Sequence, residues 1–125
     1  MSDHRMILEM GTGNDLYGQD YTKAARRAVQ DALHHSSITL FSKLRIDHGQ
    51  MRVQVTIGVQ QPDEVDCEAV AADLPRGVAT VRAVLGGLDV ADPDAGTRHV
   101  VATAAIEAYL PSLAGKYQLT PDDPA

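Results

Sequence analysis

The chain has 125 residues, 44% apolar and 22% charged, the size and makeup of one globular domain. Eleven Lys and Arg against seventeen Asp and Glu leave a formal charge of −6, the wrong sign for neutralising phosphates. One Phe, four Tyr and no Trp offer little for stacking single-stranded bases, so no nucleic-acid partner is expected. A single cysteine, Cys67, excludes an internal disulfide and fits a reducing compartment. No apolar run approaches a signal peptide or the ~20 residues of a membrane span, so a cytoplasmic protein without a membrane partner is expected.

Residues 5–10 (RMILEM) read as a short buried strand that stops at Gly11. Residues 11–19 read as a glycine-rich loop, and Asp20 as the N-cap of a helix over 21–35. That helix carries a stripe of Ala24, Ala25, Ala28, Val29, Ala32 and Leu33, small enough for close approach to a sheet. Lys23, Arg26 and Arg27 fall on its other side and read as a solvated face. His34 and His35 close the helix, where positive character suits the dipole. Residues 36–50 hold a short apolar piece around Phe41 and a turn at Asp47-His48-Gly49.

Residues 51–59 alternate without exception, Met51, Val53, Val55, Ile57 and Val59 against Arg52, Gln54, Thr56 and Gly58, and predict a strand. Asp66 is placed to cap a short helix to Asp73 with Cys67, Val70, Ala71 and Leu74 inward, and Pro75-Arg76-Gly77 closes it. Cys67 then reads as a small core residue. A third strand is expected over 78–85, followed by a turn-rich connection from Gly86-Gly87 to Gly96. Residues 98–110 fit a helix or a strand. The wholly apolar row Val100, Ala102, Ala104, Ile106, Ala108, Leu110 favours a strand, expected to pair antiparallel with the third.

The expected order is therefore β-α-β-α-β-β in one α+β domain over 1–111, with 112–125 as a loose tail. Two helices would cover one face of a four-stranded mixed sheet, a two-layer sandwich. The other face would carry Glu9, Arg52, Gln54, Thr56, Thr80, Arg82, Thr103 and Glu107 and either meet solvent or line a subunit seam.

The stretch Gly11-Thr12-Gly13-Asn14-Asp15-Leu16-Tyr17-Gly18-Gln19-Asp20 is the candidate site, because a loop between a strand and a helix N-terminus is a favoured ligand position. It is not a dinucleotide fingerprint, since Leu16 stands where the third glycine belongs, and no Gly-Lys-Ser/Thr follows for a P-loop. Asp15 would accept a proton or an N–H, with Tyr17, Lys23, Arg82 or His99 as partners. Gly11, Gly13, Asn14 and Gly18 would allow positive φ or close approach to a small polar ligand. The competing reading is a tight turn whose Asp and Asn bond their own backbone. No ligand spacing suggests a metal, and no cofactor motif is present in the sequence.

Gly11, Gly13, Asp15 and Gly18 match the G-x-G-x-D-x-H-G motif of the Lin0512 family of uncharacterised conserved proteins, which the chain resembles over about residues 5–110. The resemblance continues through residues 19–25, the strand at 51–59, Pro62 to Asp66 and Gly86-Gly87. Tyr17 stands at the motif's histidine position, which removes any role that needs an imidazole there. The family supplies no activity. The element order also resembles the Bacillus chorismate mutase-like fold, whose ligand sites lie between subunits of a trimer, and this implies a homo-oligomer, a trimer or a multiple of it. The repeats of ring-opening amidohydrolases look similar in architecture, but Leu85-Gly86-Gly87 lacks their serine. Two functional classes remain: a small-molecule-binding protein or enzyme with its site at the Gly11–Gly18 loop, and a non-catalytic structural or regulatory oligomer.

Overall fold

The computed structural model describes residues 4–34, 52–74 and 78–110. In chain order they form β1 (His4–Asp15), α1 (Tyr21–His34), β2 (Arg52–Val59), a 3-10 turn (Pro62–Glu64), α2 (Cys67–Ala72), β3 (Val78–Leu85), β4 (Leu88–Asp92) and β5 (Thr97–Leu110). The class is α+β, as the sequence predicts. The tail beyond 110, His35, Phe41 and the 36–50 segment lie outside the described residues.

All five strands join one sheet in the order β1-β5-β2-β3, with β4 also paired to β5. The expectation of four strands missed β4, which forms within the supposed turn region. The last strand also pairs differently from expectation. It does not join β3 but lies centrally, antiparallel to β1, β2 and β4. With fourteen residues it is long enough to pair β2 along Thr103–Tyr109 and β4 along Thr97–Val101 on the same edge. β1, β2, β3 and β4 therefore run in one direction and β5 in the other.

The passage from β3 to β4 crosses the end of β2 at Gly86-Gly87, where Gly86 N–H donates to Val59 O at 2.9 Å. Gly87 has φ +62, and a Cβ there would lie 2.3 Å from Val101 O and 2.7 Å from Gly58 O. Only glycine fits both the backbone angle and the gap. Gln60 Nε2 braces the crossing by donating to Gly86 O at 3.0 Å.

The helix-facing side of the sheet carries Val53, Val55, Ile57, Val100, Ala102, Ala104, Ile106 and Ala108, all buried. Each fully buried Val or Ile contributes about 1.5–3 kcal/mol of transfer free energy. Against them lies the predicted stripe of α1, Ala24, Ala25, Ala28, Val29 and Ala32, without exposed surface. Both caps form as expected: Lys23 N–H donates to Asp20 Oδ1 at 3.0 Å and Ala69 N–H to Asp66 Oδ1 at 3.2 Å. In α2 Val70 is fully buried, while Cys67 is half-buried and packs against the core.

β1 departs most from its predicted form. It continues to Asp15, so Gly11, Gly13 and Asn14 are strand residues and not loop. Neither Gly11 nor Gly13 has a positive φ. Both sit where α1 crosses the sheet, and a Cβ on Gly13 would lie 2.3 Å from Ala28 N. Glycine here serves helix–sheet approach. Glu9 is also corrected, because its partner is Ile106 and it therefore faces the helix layer.

The open face does hold the expected Arg52, Gln54, Thr56, Thr80, Arg82, Thr103 and Glu107, by register with β5. Charges pair on it: Arg5 Nη1 donates to Glu107 Oε2 at 3.2 Å, and Tyr109 OH to the same oxygen at 2.8 Å. The Arg52 guanidinium lies 4.3 Å from the Tyr109 ring centroid. The Tyr109 hydrogen bond first, and Arg5 next, hold the Glu107 carboxyl below its ordinary value of 4.5. A lowered carboxylate pKa adds stability that is present above that ordinary value and lost as the pH falls through the folded one. Glu107→Gln is therefore expected to be less stable than wild type at neutral pH by under ~1 kcal/mol, the pair being partly solvated. Urea melts across pH should show the gap closing as the pH falls below 4.5.

Candidate functional site

β1, β2 and β3 end at the same side of the sheet, facing the N-terminus of α1 and the β4–β5 hairpin. This is where open sheets place ligands. The predicted loop survives as residues 16–20, shorter than expected and held in place by Asp15. That side chain is 8% exposed on the helix-facing side of β1, opposite Val100. Its Oδ2 accepts Asp20 N–H at 2.9 Å, and Arg27 Nη1 lies 3.6 Å from Oδ1. The same arginine donates to Asn14 O at 2.6 Å. Gly18 folds so close that a Cβ there would lie 2.6 Å from Asp15 Oδ2.

The other predicted residues separate into three groups. Tyr17 is 86% exposed at the loop tip, and its ring meets that of His99 edge-on at 6.2 Å. His99 is on the open face, its Nδ1 2.5 Å from Leu16 O and its Nε2 3.7 Å from Asp92 Oδ2. Lys23 lies on the outward side of α1, in a shallow groove with Asp20, Thr22, Arg26, Arg27 and Gln30. Arg26 in that groove is already engaged by Asp73 through bonds of 2.7 and 3.0 Å. Arg82 is on β3 and donates to Thr56 Oγ1 at 3.2 Å, in the open-face row of Met10 and Ala105. Thus Asp15, Tyr17 and His99 share one end of the sheet, while Lys23 and Arg82 occupy other faces.

A second polar cluster at this end escaped the sequence. Asp89 and Asp15 both pair with Val100, one on each side, so they share a row of the helix-facing side with Cα atoms about 10 Å apart, two strand spacings. Tyr21, the first residue of α1, is buried and donates its hydroxyl to Asp89 Oδ2. Burial first, and that bond next, raise the Tyr21 pKa above its ordinary value, which keeps the phenol protonated as a donor. Arg98 reaches over Asp89, with Nη1 3.9 Å from Oδ2. The Gln61 amide is satisfied with its oxygen toward Arg98 Nη1 and Nη2 (3.1 and 3.3 Å) and its NH2 toward Glu64.

Two local features distinguish this cluster. Among the described residues nothing donates to the buried Oδ1 of Asp89, and a carboxylate oxygen left so costs about 1–3 kcal/mol, more for a charged group. Gln19 holds a left-handed φ of 53, unusual for a side-chain-bearing residue, and its Oε1 accepts Arg98 N–H at 3.2 Å. No short motif could have revealed the cluster, since Tyr21 and Asp89 are 68 positions apart. The usable signal was Asp89 and Arg98 flanking the Asp92-Pro93-Asp94-Ala95-Gly96 turn, which suggests a hairpin with both on one side. Among the described residues no three His, Cys, Asp or Glu side chains gather closely enough to hold a metal ion.

Fold and site together define an α+β protein with a polar cluster where its parallel strands end. The chain belongs to the Lin0512 family: the model of that family, described as a conserved hypothetical protein, matches residues 5–108. It is similar to a solved structure from Nostoc punctiforme described as an FtsZ-like protein of unknown function. The two are 32% identical with a TM-score of 0.76, over 90% of this chain and 99% of the Nostoc chain. No curated protein matches the chain. No helix among the described residues is long and apolar enough to cross a membrane.

Proposed function

We propose that the protein binds a small polar molecule, as receptor or enzyme, at the end of the sheet bounded by residues 15–21, 60–65 and 88–99. The observation that carries this reading is the buried Oδ1 of Asp89, without a partner among the described residues, on a carboxylate whose other oxygen takes the neutral Tyr21 phenol and faces the Arg98 guanidinium. A buried carboxylate oxygen without a donor is stabilised by a ligand that brings one. In this reading Asp15 positions the loop, while Tyr17 and His99 form a rim on the open-face side. A thermal-shift screen of polar metabolites, followed by amide NMR, tests it. Compounds that stabilise the fold are expected to move the signals of residues 15–21, 60–65 and 88–99. Stabilisers whose signals move elsewhere, or no stabiliser at all, would refute it.

A second reading is favoured by a different observation. Leu16, Tyr17, Val84, Leu85, Leu88 and Val90 are all exposed, and they gather toward the same end of the molecule. An apolar cluster of this kind marks a protein contact. It suits the homo-oligomer implied by the resemblance to the chorismate mutase-like fold, and equally a non-catalytic assembling subunit. Light scattering coupled to size exclusion is expected to give a trimer or a multiple of it. A monomer at micromolar concentration would remove this reading and leave the first intact.

A further inference from the structure

Resting on the ligand-binding reading above, we infer that the ligand is a zwitterion carrying an ammonium group beside a carboxylate, as in a free α-amino acid, with the ammonium on Asp89 and the carboxylate on Arg98. Three observations support the pairing. First, Asp89 and Arg98 are opposite charges whose nearest atoms are 3.9 Å apart, longer than the 2.7–2.9 Å of a full N⁺–H···O⁻ bond. Each keeps capacity for another partner: Oδ1 of Asp89 accepts from none of the described residues, and Arg98 has five N–H donors for the Gln61 oxygen and one loose carboxylate contact.

Second, the groups around Asp89 select the sign of the donor it takes. Tyr21 stays neutral and already donates to Oδ2, and Glu64 adds a second carboxylate behind Gln61. With Asp89 and Glu64 against Arg98, the cluster carries one excess negative charge, which favours a cationic donor over a neutral N–H. A cation alone would meet Arg98 repulsively, whereas a carboxylate on the adjacent carbon turns that contact into a second ion pair. Third, Arg98 is the accessible member of the pair, its side chain 45% exposed, while that of Asp89 is 13% exposed.

The experiment titrates the full chain with the proteinogenic α-amino acids by calorimetry. Each one that binds is compared with its two truncated forms, the carboxylic acid without the amine and the amine without the carboxylate. The expected result is that an amino acid binds at least about tenfold tighter than either truncated form. Asp89→Asn is expected to reduce the amino acid to the affinity of the carboxylic acid, and Arg98→Met to that of the amine. Arg98 is half exposed, so its variant keeps the fold and tests the proposal even if Asp89→Asn does not fold. The inference is overturned if a truncated form binds as tightly as its parent, if both variants keep wild-type affinity, or if no amino acid binds. Should no amino acid bind while another metabolite moves the signals of Tyr21 and Arg98, the ligand class falls and the site stands; if no compound moves them, both fall.

Discussion

Gly13→Val is expected to leave the chain unfolded at room temperature, and Gly13→Ala to cost at least ~3 kcal/mol, the upper end of ordinary overpacking. The first atom beyond Cα decides this. A Cβ on Gly13 would lie 2.3 Å from Ala28 N, 2.6 Å from Ala24 O and 2.6 Å from the Arg27 carbonyl carbon. All three are backbone atoms of α1, so no rotamer change relieves the contact and the helix itself must lift from the sheet. Lifting it opens the layer in which Ala24, Ala28 and Ala32 are sealed, and that loss is large beside a typical total stability of about 5–15 kcal/mol. Gly11→Ala should behave similarly, since its Cβ would lie 2.5 Å from Ala32 N. Gly96→Ala is the control: φ there is +69 but none of the described residues lies within 4 Å, so only the conformational cost of about 1 kcal/mol applies. Urea unfolding of the variants separates the two mechanisms. A Gly13→Ala protein as stable as Gly96→Ala would show that α1 does not sit this close to β1.

The same glycines explain where the sequence misleads. Glycine in an amphipathic stretch signals a turn, and three of them between residues 11 and 18 outweighed any strand pattern. The signal that pointed the other way was the alanine stripe of α1, because small residues on a helix want small residues opposite. Period-2 alternation in β2, the alanine face of α1 and the two aspartate caps were legible because each is a local pattern within one element. β4 was not. Its five residues lie between Gly86-Gly87 and Pro93-Asp94, and only pairing with the overlong β5 makes them a strand. Of the candidate site, the position at the strand-to-helix turn and Asp15 as an acceptor of an N–H there could be read from the sequence. The Tyr21–Asp89–Arg98 cluster could not, since it exists only through the register that sets Asp89 opposite Val100 and beneath the first turn of α1.

Substitution of Asp15 is expected to have the second-largest effect. Asp15→Ala should cost about 2–3 kcal/mol, the range of hydrogen bonds to charged groups. It removes the acceptor of Asp20 N–H and the charge opposite Arg27, both at the entry to α1. The full penalty of a broken buried ion pair does not apply, because the Arg27 side chain is 51% exposed and keeps its bond to Asn14 O. Asp15→Asn keeps an oxygen for Asp20 N–H and loses only the charge, so about 1 kcal/mol is expected. Chemical denaturation of the two variants measures both costs. Ligand binding then separates a positioning role from direct contact. If Asp15 positions the loop, Asp15→Asn retains the affinity of any ligand that binds at Asp89, because Gln19 in the loop and Tyr21 at the start of α1 stay in the same place. If Asp15 touches the ligand, as its place in the glycine-rich motif first suggests, Asp15→Asn loses that affinity while its stability falls by no more than the single charge contact accounts for.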